Sequence, residues 1–267
     1  MSALQTELET ARELARQAGL EVMRMQRGEL DIEMKPGDEP VTVADKRASK
    51  LIVAGLGAAF PADAIISEEL PPAPGSLASR RLWLVDPIDG TKDFIRGEGG
   101  YSVMIGLVVA GRPALGVVYQ PVPDRMFYAT PDGAWVDHAG ERRELGVSAV
   151  RDVSQLRLVA SKSHRSEKLD EVKQALGIAN EENVGSVGVK LCLIAAGEKD
   201  LYVNPWPKTK PWDTCAPEAI LVRAGGRLTD VRGAAMDYTQ LGSPHGLVAS
   251  NGLVHDEIVA KLGPLFP

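Results

Sequence analysis

The stretch Arg81–Phe94 reads RLWLVDPIDGTKDF and joins a short apolar run to two closely spaced acids. The apolar run, residues 82–85, is typical of a buried strand, and we expect that strand to stop at Asp86. Pro87 cannot donate a hydrogen bond to a neighbouring strand, and Gly90 tolerates unusual backbone dihedral angles. The backbone is therefore expected to leave the sheet here in a tight turn.

This turn would hold the carboxylates of Asp86 and Asp89 close together. Like charges at short range raise each other's pKa unless a cation lies between them, and oxygen clusters select hard cations such as Mg²⁺. The carbonyl oxygen of Ile88 is a further candidate ligand, and the N–H groups of Gly90 and Thr91 are candidate phosphate contacts. The same pattern also fits an ordinary turn capped by an aspartate, so the motif alone leaves both interpretations open.

Composition excludes several classes of protein. The chain has 267 residues, of which 44% are hydrophobic and 25% charged, as is ordinary for a globular enzyme of one domain or two closely packed ones. A net charge of −6 argues against binding to nucleic acid polymers. No apolar run suits a membrane span or a signal peptide, so we expect a cytoplasmic protein without membrane contact. Cys192 and Cys215 are expected to be buried, reduced thiols.

Periodicity predicts a mixed α/β (α+β) protein with two successive halves. Residues 1–140 contain two amphipathic helices, a short strand and a meander of apolar strands, which implies an antiparallel sheet packed on the helices. From about residue 140, strands and helices alternate, which suggests a second α/β layer in residues 141–267. We expect the two halves to pack as one compact unit, with most metal ligands in the first half and the residues that select the substrate in the second.

Three further acids lie where a predicted strand ends or a helix begins. Glu68 follows the short strand, Asp45 lies at or inside the start of the second helix, and Asp213 begins the helix of KPWDTCAPEAILVRAGG. For Asp45 and Asp213 the alternative is a favourable interaction with a helix N-terminus. Loops from different elements converge on functional sites, and these positions favour one shared site.

Glu68-Glu69, DPIDGTKDF and WDTCAPEAILVRAGG, in this order, resemble the three successive signatures of the Mg²⁺-dependent, lithium-sensitive phosphatase superfamily. That superfamily includes inositol monophosphatases, fructose-1,6-bisphosphatases and 3'(2'),5'-bisphosphate nucleotidases, and the resemblance runs from about Pro40 to Asn251. It implies a layered α-β-α-β-α sandwich and a site for two or three Mg²⁺ ions. The implied metal ligands are Glu68, Asp86, the Ile88 carbonyl, Asp89 and Asp213. The implied catalytic residues are Asp45 and Thr91, which activate water, and Glu68.

The residues that select the substrate are more similar to the bisphosphate nucleotidase pattern. DGTK-x-F resembles that pattern, as do the segments that contain Ser161 and His164, and Ser186 and Lys190. The implied phosphate or substrate contacts are Gly90, Thr91, Lys92, Ser161, His164, Ser186 and Lys190. A bisphosphate needs a cation away from the metals, and Lys190 with His164 would supply it.

The resemblance therefore implies hydrolysis of a small phosphorylated metabolite, 3'-phosphoadenosine 5'-phosphate, to AMP and phosphate. The alternatives are an inositol-1-monophosphatase, a fructose-1,6-bisphosphatase and, as a different class, a metal-binding protein without turnover. We expect inhibition by lithium and a monomer or homodimer.

Overall fold

The computed structural model describes residues 4–28, 30–35, 39–162, 167–242 and 245–266. Its helices are α1 (Gln5–Gln26), α2 (Val43–Ala59), α3 (Thr91–Ile95), α4 (Glu167–Leu176), α5 (Val187–Ala195), α6 (Pro211–Arg223) and α7 (His255–Leu262). Its strands in the first half are β1 (Ile32–Lys35), β2 (Glu39–Thr42), β3 (Ala64–Ser67), β4 (Arg81–Asp89), β5 (Ser102–Val109), β6 (Arg112–Gln120), β7 (Arg125–Thr130), β8 (Gly133–His138) and β9 (Glu141–Glu144). Those in the second half are β10 (Leu158–Ser161), β11 (Glu181–Val184), β12 (Leu201–Asn204), β13 (Arg227–Asp230) and β14 (Leu247–Ser250).

The strands form two main sheets. Strands β3 to β9 make a seven-stranded sheet in sequential order, in which β3 and β4 are parallel and the other pairs antiparallel. The second sheet has five strands in the order β11-β10-β12-β14-β13, with β10 parallel to both of its neighbours. Strands β1 and β2 form a separate antiparallel pair that precedes α2.

Three hydrophobic clusters join these elements into five layers. Helices α1 and α2 cover the outer face of the seven-stranded sheet. Helices α5 and α6 lie between the two sheets, and α4 and α7 cover the far side of the five-stranded sheet. The predicted α-β-α-β-α sandwich is confirmed. Within the described ranges, no helix combines the length and apolar character needed to cross a bilayer.

Strand β4 shows how the sequence produces this layering. Successive side chains of a strand point to opposite faces. Leu82 and Leu84 accordingly pack in the cluster between the sheets, whereas Trp83 and Val85 pack against α1 and α2. A continuous apolar run is what a strand covered on both faces requires.

The strand does not stop at Asp86, and that prediction is wrong. Strand β4 continues to Asp89, where pairing with Ser102 of β5 resumes after a shift of register. A bulge leaves residues unpaired, so Pro87 is accommodated without losing a ladder hydrogen bond. Gly90 then adopts φ +98°, and α3 begins at Thr91. The backbone therefore does change course near these acids, as predicted. The change is divided between a bulge within β4 and Gly90, just beyond the strand.

The boundary predicted at residues 140 and 141 falls between β8 and β9. Because β9 pairs with β8 in the first sheet, we propose that the first half extends to about residue 145. Strand β11, whose residues are Glu-Glu-Asn-Val, was not predicted at all. It is a half-exposed edge strand, which does not need the apolar pattern of a buried one.

Candidate active site

Two aspartates, Asp86 and the partly buried Asp89, lie at the bulged end of β4. Asp86 is 3% exposed, and its Oδ1 accepts a hydrogen bond from the backbone N–H of Ile88 at 3.1 Å. Asp89 Oδ2 accepts one from the Ser186 hydroxyl at 2.5 Å and another from the Gly188 N–H at 2.7 Å. The Asp89 carboxylate thus reaches the start of α5, whereas that of Asp86 is bonded within the bulge.

Glu68 reaches the same region because β3 and β4 run parallel, with Ser67 opposite Val85. The two strands therefore end at the same edge of the sheet, and Glu68 follows the end of β3 directly. Its Oε1 accepts a hydrogen bond from Lys35 Nζ at 2.9 Å, and the same ammonium group also bonds Glu69. Sequence analysis did not identify Lys35, because this contact joins residues that no local pattern relates.

Asp213 comes from the second half of the chain, in the first turn of α6. Its Oδ2 accepts the Lys210 N–H at 2.8 Å, which satisfies a free N–H at the start of the helix. Helix α6 packs directly on the sheet at Gly116, where a Cβ atom would lie 2.0 Å from the Ala216 carbonyl oxygen. The absence of a side chain at Gly116 therefore allows the helix that carries Asp213 to approach the sheet this closely.

These four acids line one pocket of about 250 Å³ and perturb one another. Burial raises the pKa of Asp86 and of Asp213 well above the usual value, and the charge of Glu68 raises each pKa further. Burial also raises the pKa of Asp89, although Lys190 opposes that shift. Across the described residues, no three acidic, histidine or cysteine side chains already surround a single point as metal ligands would. Instead, Glu68 is hydrogen-bonded to Lys35 and Asp89 is hydrogen-bonded to Ser186.

Asp45 and Thr91 form a pair beside these acids. The Thr91 hydroxyl lies 3.3 Å from Asp45 Oδ1 and 3.0 Å from the Ile88 carbonyl oxygen. The other carboxylate oxygen of Asp45 accepts the N–H of Thr42 at 2.8 Å and its hydroxyl at 2.6 Å. Asp45 therefore does cap the start of α2 through Oδ2, while its Oδ1 faces the Thr91 hydroxyl.

The predicted substrate contacts divide into three groups. Gly90, Thr91, Lys92 and Ser161 line the pocket. Ser186 and Lys190 are fully buried and do not. His164 lies outside the described residues.

The prediction that Lys190 binds the substrate disagrees with this geometry. Its Nζ donates to the carbonyl oxygens of Val184 at 3.1 Å and Gly185 at 2.8 Å, and lies 5.0 Å from the centre of the Tyr202 ring. Burial lowers the pKa of Lys190 to about 8. Lys190 stabilises the wall of the pocket instead of facing its interior.

Several residues that line the pocket were not identified from the sequence, among them Trp206, Lys208 and Lys210. All three belong to the segment NPWPKTK, residues 204–210, directly before the WDTCAPEA motif. The sequence signal that could have identified this segment is a tryptophan between two prolines, followed by two lysines.

A five-layered sandwich with buried acids from both halves at one pocket has the architecture expected of the phosphatase superfamily. The chain belongs to the inositol monophosphatase family, whose model matches residues 3–264. It is 41% identical over 235 residues to the 3'(2'),5'-bisphosphate nucleotidase CysQ of Salmonella typhimurium, covering 87% of this chain and 94% of the relative. It is 34% identical over 251 residues to the histidinol-phosphatase of Mycobacterium tuberculosis, covering 91% and 92%.

Among solved structures, the Thermotoga maritima IMPase TM1415 superposes with a TM-score of 0.84 at 27% identity, with 98% of each chain covered. These comparisons confirm the predicted family. Both curated relatives carry the names of enzymes that act on small phosphorylated metabolites.

Proposed function

We propose that this protein is a Mg²⁺-dependent 3'(2'),5'-bisphosphate nucleotidase that converts 3'-phosphoadenosine 5'-phosphate to AMP and phosphate. The observation that carries the proposal is the 41% identity to a bisphosphate nucleotidase over 87% of the chain. The match also covers 94% of the relative's own length, so it includes most of that protein. The pocket chemistry supports the same assignment.

The donor set suits Mg²⁺. Six carboxylates and three lysines line the pocket, and every candidate ligand is an oxygen atom, which hard divalent cations prefer. We propose that two or three ions are held by Glu68, Asp86, Asp89, Asp213 and the Ile88 carbonyl. Bound Mg²⁺ supplies positive charge that stabilises the phosphate oxygens and the leaving group and lowers the pKa of water.

We propose that Asp45 and Thr91 handle the proton of the attacking water. A threonine hydroxyl can accept a hydrogen bond from water while it donates its own proton to a carboxylate. Thr91 has the Asp45 carboxylate as a partner for that donation, and Thr42 fixes the orientation of the carboxylate. The pair would orient water and accept its proton, which is general base catalysis without a nucleophilic side chain.

Lys92 and Ser161 are the proposed contacts of the scissile phosphate from this chain, together with the backbone at Gly90 and Thr91. All four line the pocket beside the acids. A cytoplasmic location also belongs to the proposal, since Cys192 and Cys215 are buried free thiols. Inhibition by lithium and a monomeric or homodimeric state remain predictions.

A second candidate activity is hydrolysis of histidinol phosphate, which the 34% identity to a histidinol-phosphatase favours. The deciding experiment compares kcat/KM for phosphate release in Mg²⁺ from five substrates: 3'-phosphoadenosine 5'-phosphate, inositol 1-phosphate, fructose 1,6-bisphosphate, histidinol phosphate and 3'-AMP. We expect the highest value for the first. A higher value for inositol 1-phosphate, fructose 1,6-bisphosphate or histidinol phosphate would contradict the nucleotidase proposal.

A further inference from the structure

The segment 204–210 supplies a second, chemically different side of the active-site pocket. Trp206 and Lys208 line the pocket together with the carboxylates, but hydrolysis of the phosphate makes no use of either. Trp206 is 41% exposed. The described residues therefore leave much of its indole ring uncovered. An exposed large aromatic ring at a pocket is a surface for stacking a flat ligand.

A nucleoside bisphosphate also needs a cation for the phosphate that is not cleaved. Lys190 does not face the pocket in this arrangement, because its side chain is fully buried and its ammonium group donates to two backbone carbonyl oxygens. Lys208 is exposed and lines the pocket, and it makes no ion pair with any residue in the described ranges. It is therefore a cation at the pocket with which no carboxylate of the described residues pairs.

The segment is held in place before any ligand binds. Asn204 Oδ1 accepts the Trp206 N–H at 3.1 Å, and Asn204 Nδ2 donates to the Thr209 hydroxyl at 3.3 Å. Pro205 and Pro207 fix φ on both sides of Trp206. A pre-ordered segment loses less conformational entropy on binding than a flexible one, so its contacts contribute more fully to affinity.

The segment also connects directly to the catalytic acids. Its last residue, Lys210, donates its backbone N–H to Asp213 at 2.8 Å. Trp206, Lys208 and Asp213 therefore line one pocket and are carried by one continuous stretch of backbone. This arrangement fits a ligand that carries a flat base, one phosphate near the acids and a second phosphate away from them.

We infer that the segment 204–210 recognises the nucleotide: the indole of Trp206 stacks on the purine base, and Lys208 binds the phosphate that is not cleaved. This inference rests on the proposed function and extends it by assigning the residues that separate a nucleotide from other phosphate esters. It replaces Lys190 as the cation for the second phosphate.

The test uses the full-length protein in Mg²⁺ and three substrates that separate base from phosphate: 3'-phosphoadenosine 5'-phosphate, 3'-AMP and ribose 3,5-bisphosphate. Trp206→Leu should lower kcat/KM about 10-fold for the two adenine substrates and leave ribose 3,5-bisphosphate unchanged. Lys208→Met should lower it about 10-fold or more for the two bisphosphates and leave 3'-AMP unchanged. Both losses should appear chiefly in KM.

Conservative variants and a binding measurement complete the test. Trp206→Phe and Lys208→Arg should retain most of the wild-type selectivity, because they keep the ring and the charge. Lys261→Met, on the exposed face of α7, is the matched control for removal of a surface lysine. Binding of AMP should quench tryptophan fluorescence in the wild-type protein and quench it much less in Trp206→Leu.

Two results would overturn the inference: no change in either variant, or an equal loss for all three substrates, which would indicate a purely structural segment. Failure of the proposed function is recognisable separately. In that case the wild-type protein itself would prefer inositol 1-phosphate or histidinol phosphate to every nucleotide, before any variant is compared.

Discussion

Replacing Gly116 by alanine tests whether the contact between α6 and the sheet positions the site. The added Cβ atom would lie 2.0 Å from the Ala216 carbonyl oxygen, whereas real Cβ contacts are essentially never under 3.0 Å. The opposing atom is backbone, so it cannot rotate away, and α6 must move by about 1 Å from the sheet. Packing an extra methyl group into a full core costs about 1 to 3 kcal/mol.

The displacement should affect catalysis as well as stability. Asp213 lies on the same helix, three residues before Ala216, and a misplacement of about 1 Å at a reacting centre can reduce the rate about 100-fold. We therefore expect Gly116→Ala to lower kcat towards 3'-phosphoadenosine 5'-phosphate by one to two orders of magnitude, measured where urea titration shows the variant to be folded.

Gly146→Ala is the matched control, since a Cβ atom there meets nothing within 4 Å and its φ is not in the left-handed region. That variant should keep wild-type stability and activity. If Gly116→Ala also keeps both, the close contact of α6 with the sheet does not determine the position of Asp213, and the reasoning is refuted.

Three further outcomes are expected. Chelation by EDTA should abolish activity and Mg²⁺ should restore it, while Asp89→Asn should lose most turnover and stay folded; an active chelated protein would exclude the metal proposal. Thr91→Ala and Asp45→Asn should each lower kcat by about 10²- to 10⁴-fold with little change in KM, and a defect confined to KM would instead make them binding residues. Burial lowers the pKa of His255 to about 4, so the folded state favours the neutral ring and stability should fall as pH drops from about 6.5 towards 4, by up to about 3 kcal/mol. Urea titrations of wild type and His255→Gln at pH 7 and 4.5 should show the larger acid loss in the wild type, and identical losses would rule out this contribution.

The convergence of the site acids on one pocket was predictable because the position of each acid follows from a local rule. The DPIDG motif at a strand end determines where Asp86 and Asp89 lie in the backbone. The helix start in the same way determines the backbone position of Asp213. Asp86, Asp89 and Asp213 consequently meet in one pocket, as predicted from their placement at element ends. The layered fold followed from the periodicity and the family resemblance.

The roles of individual lysines were not predictable in the same way. Lys190 occupies a position that resembles a substrate contact, but its ammonium group is bound to the carbonyl oxygens of Val184 and Gly185. Those carbonyls lie at the end of β11, the edge strand that was not predicted because its sequence is polar. The partner of a long, flexible side chain depends on which groups lie near it in the folded protein. A sequence motif identifies the residue but does not identify that partner.

The position of α5 and α6 between the two sheets has a consequence for biosynthesis. The inner face of the first sheet, with Leu84, Met104 and Phe127, is buried mainly against helices that begin 60 or more residues later in the chain. During translation, the first sheet can therefore form with one of its faces still open to water. Exposed apolar sheet surface promotes aggregation in partly folded chains. We expect nascent chains truncated before α5 to bind chaperones strongly, and this dependence to disappear once α6 has left the ribosome.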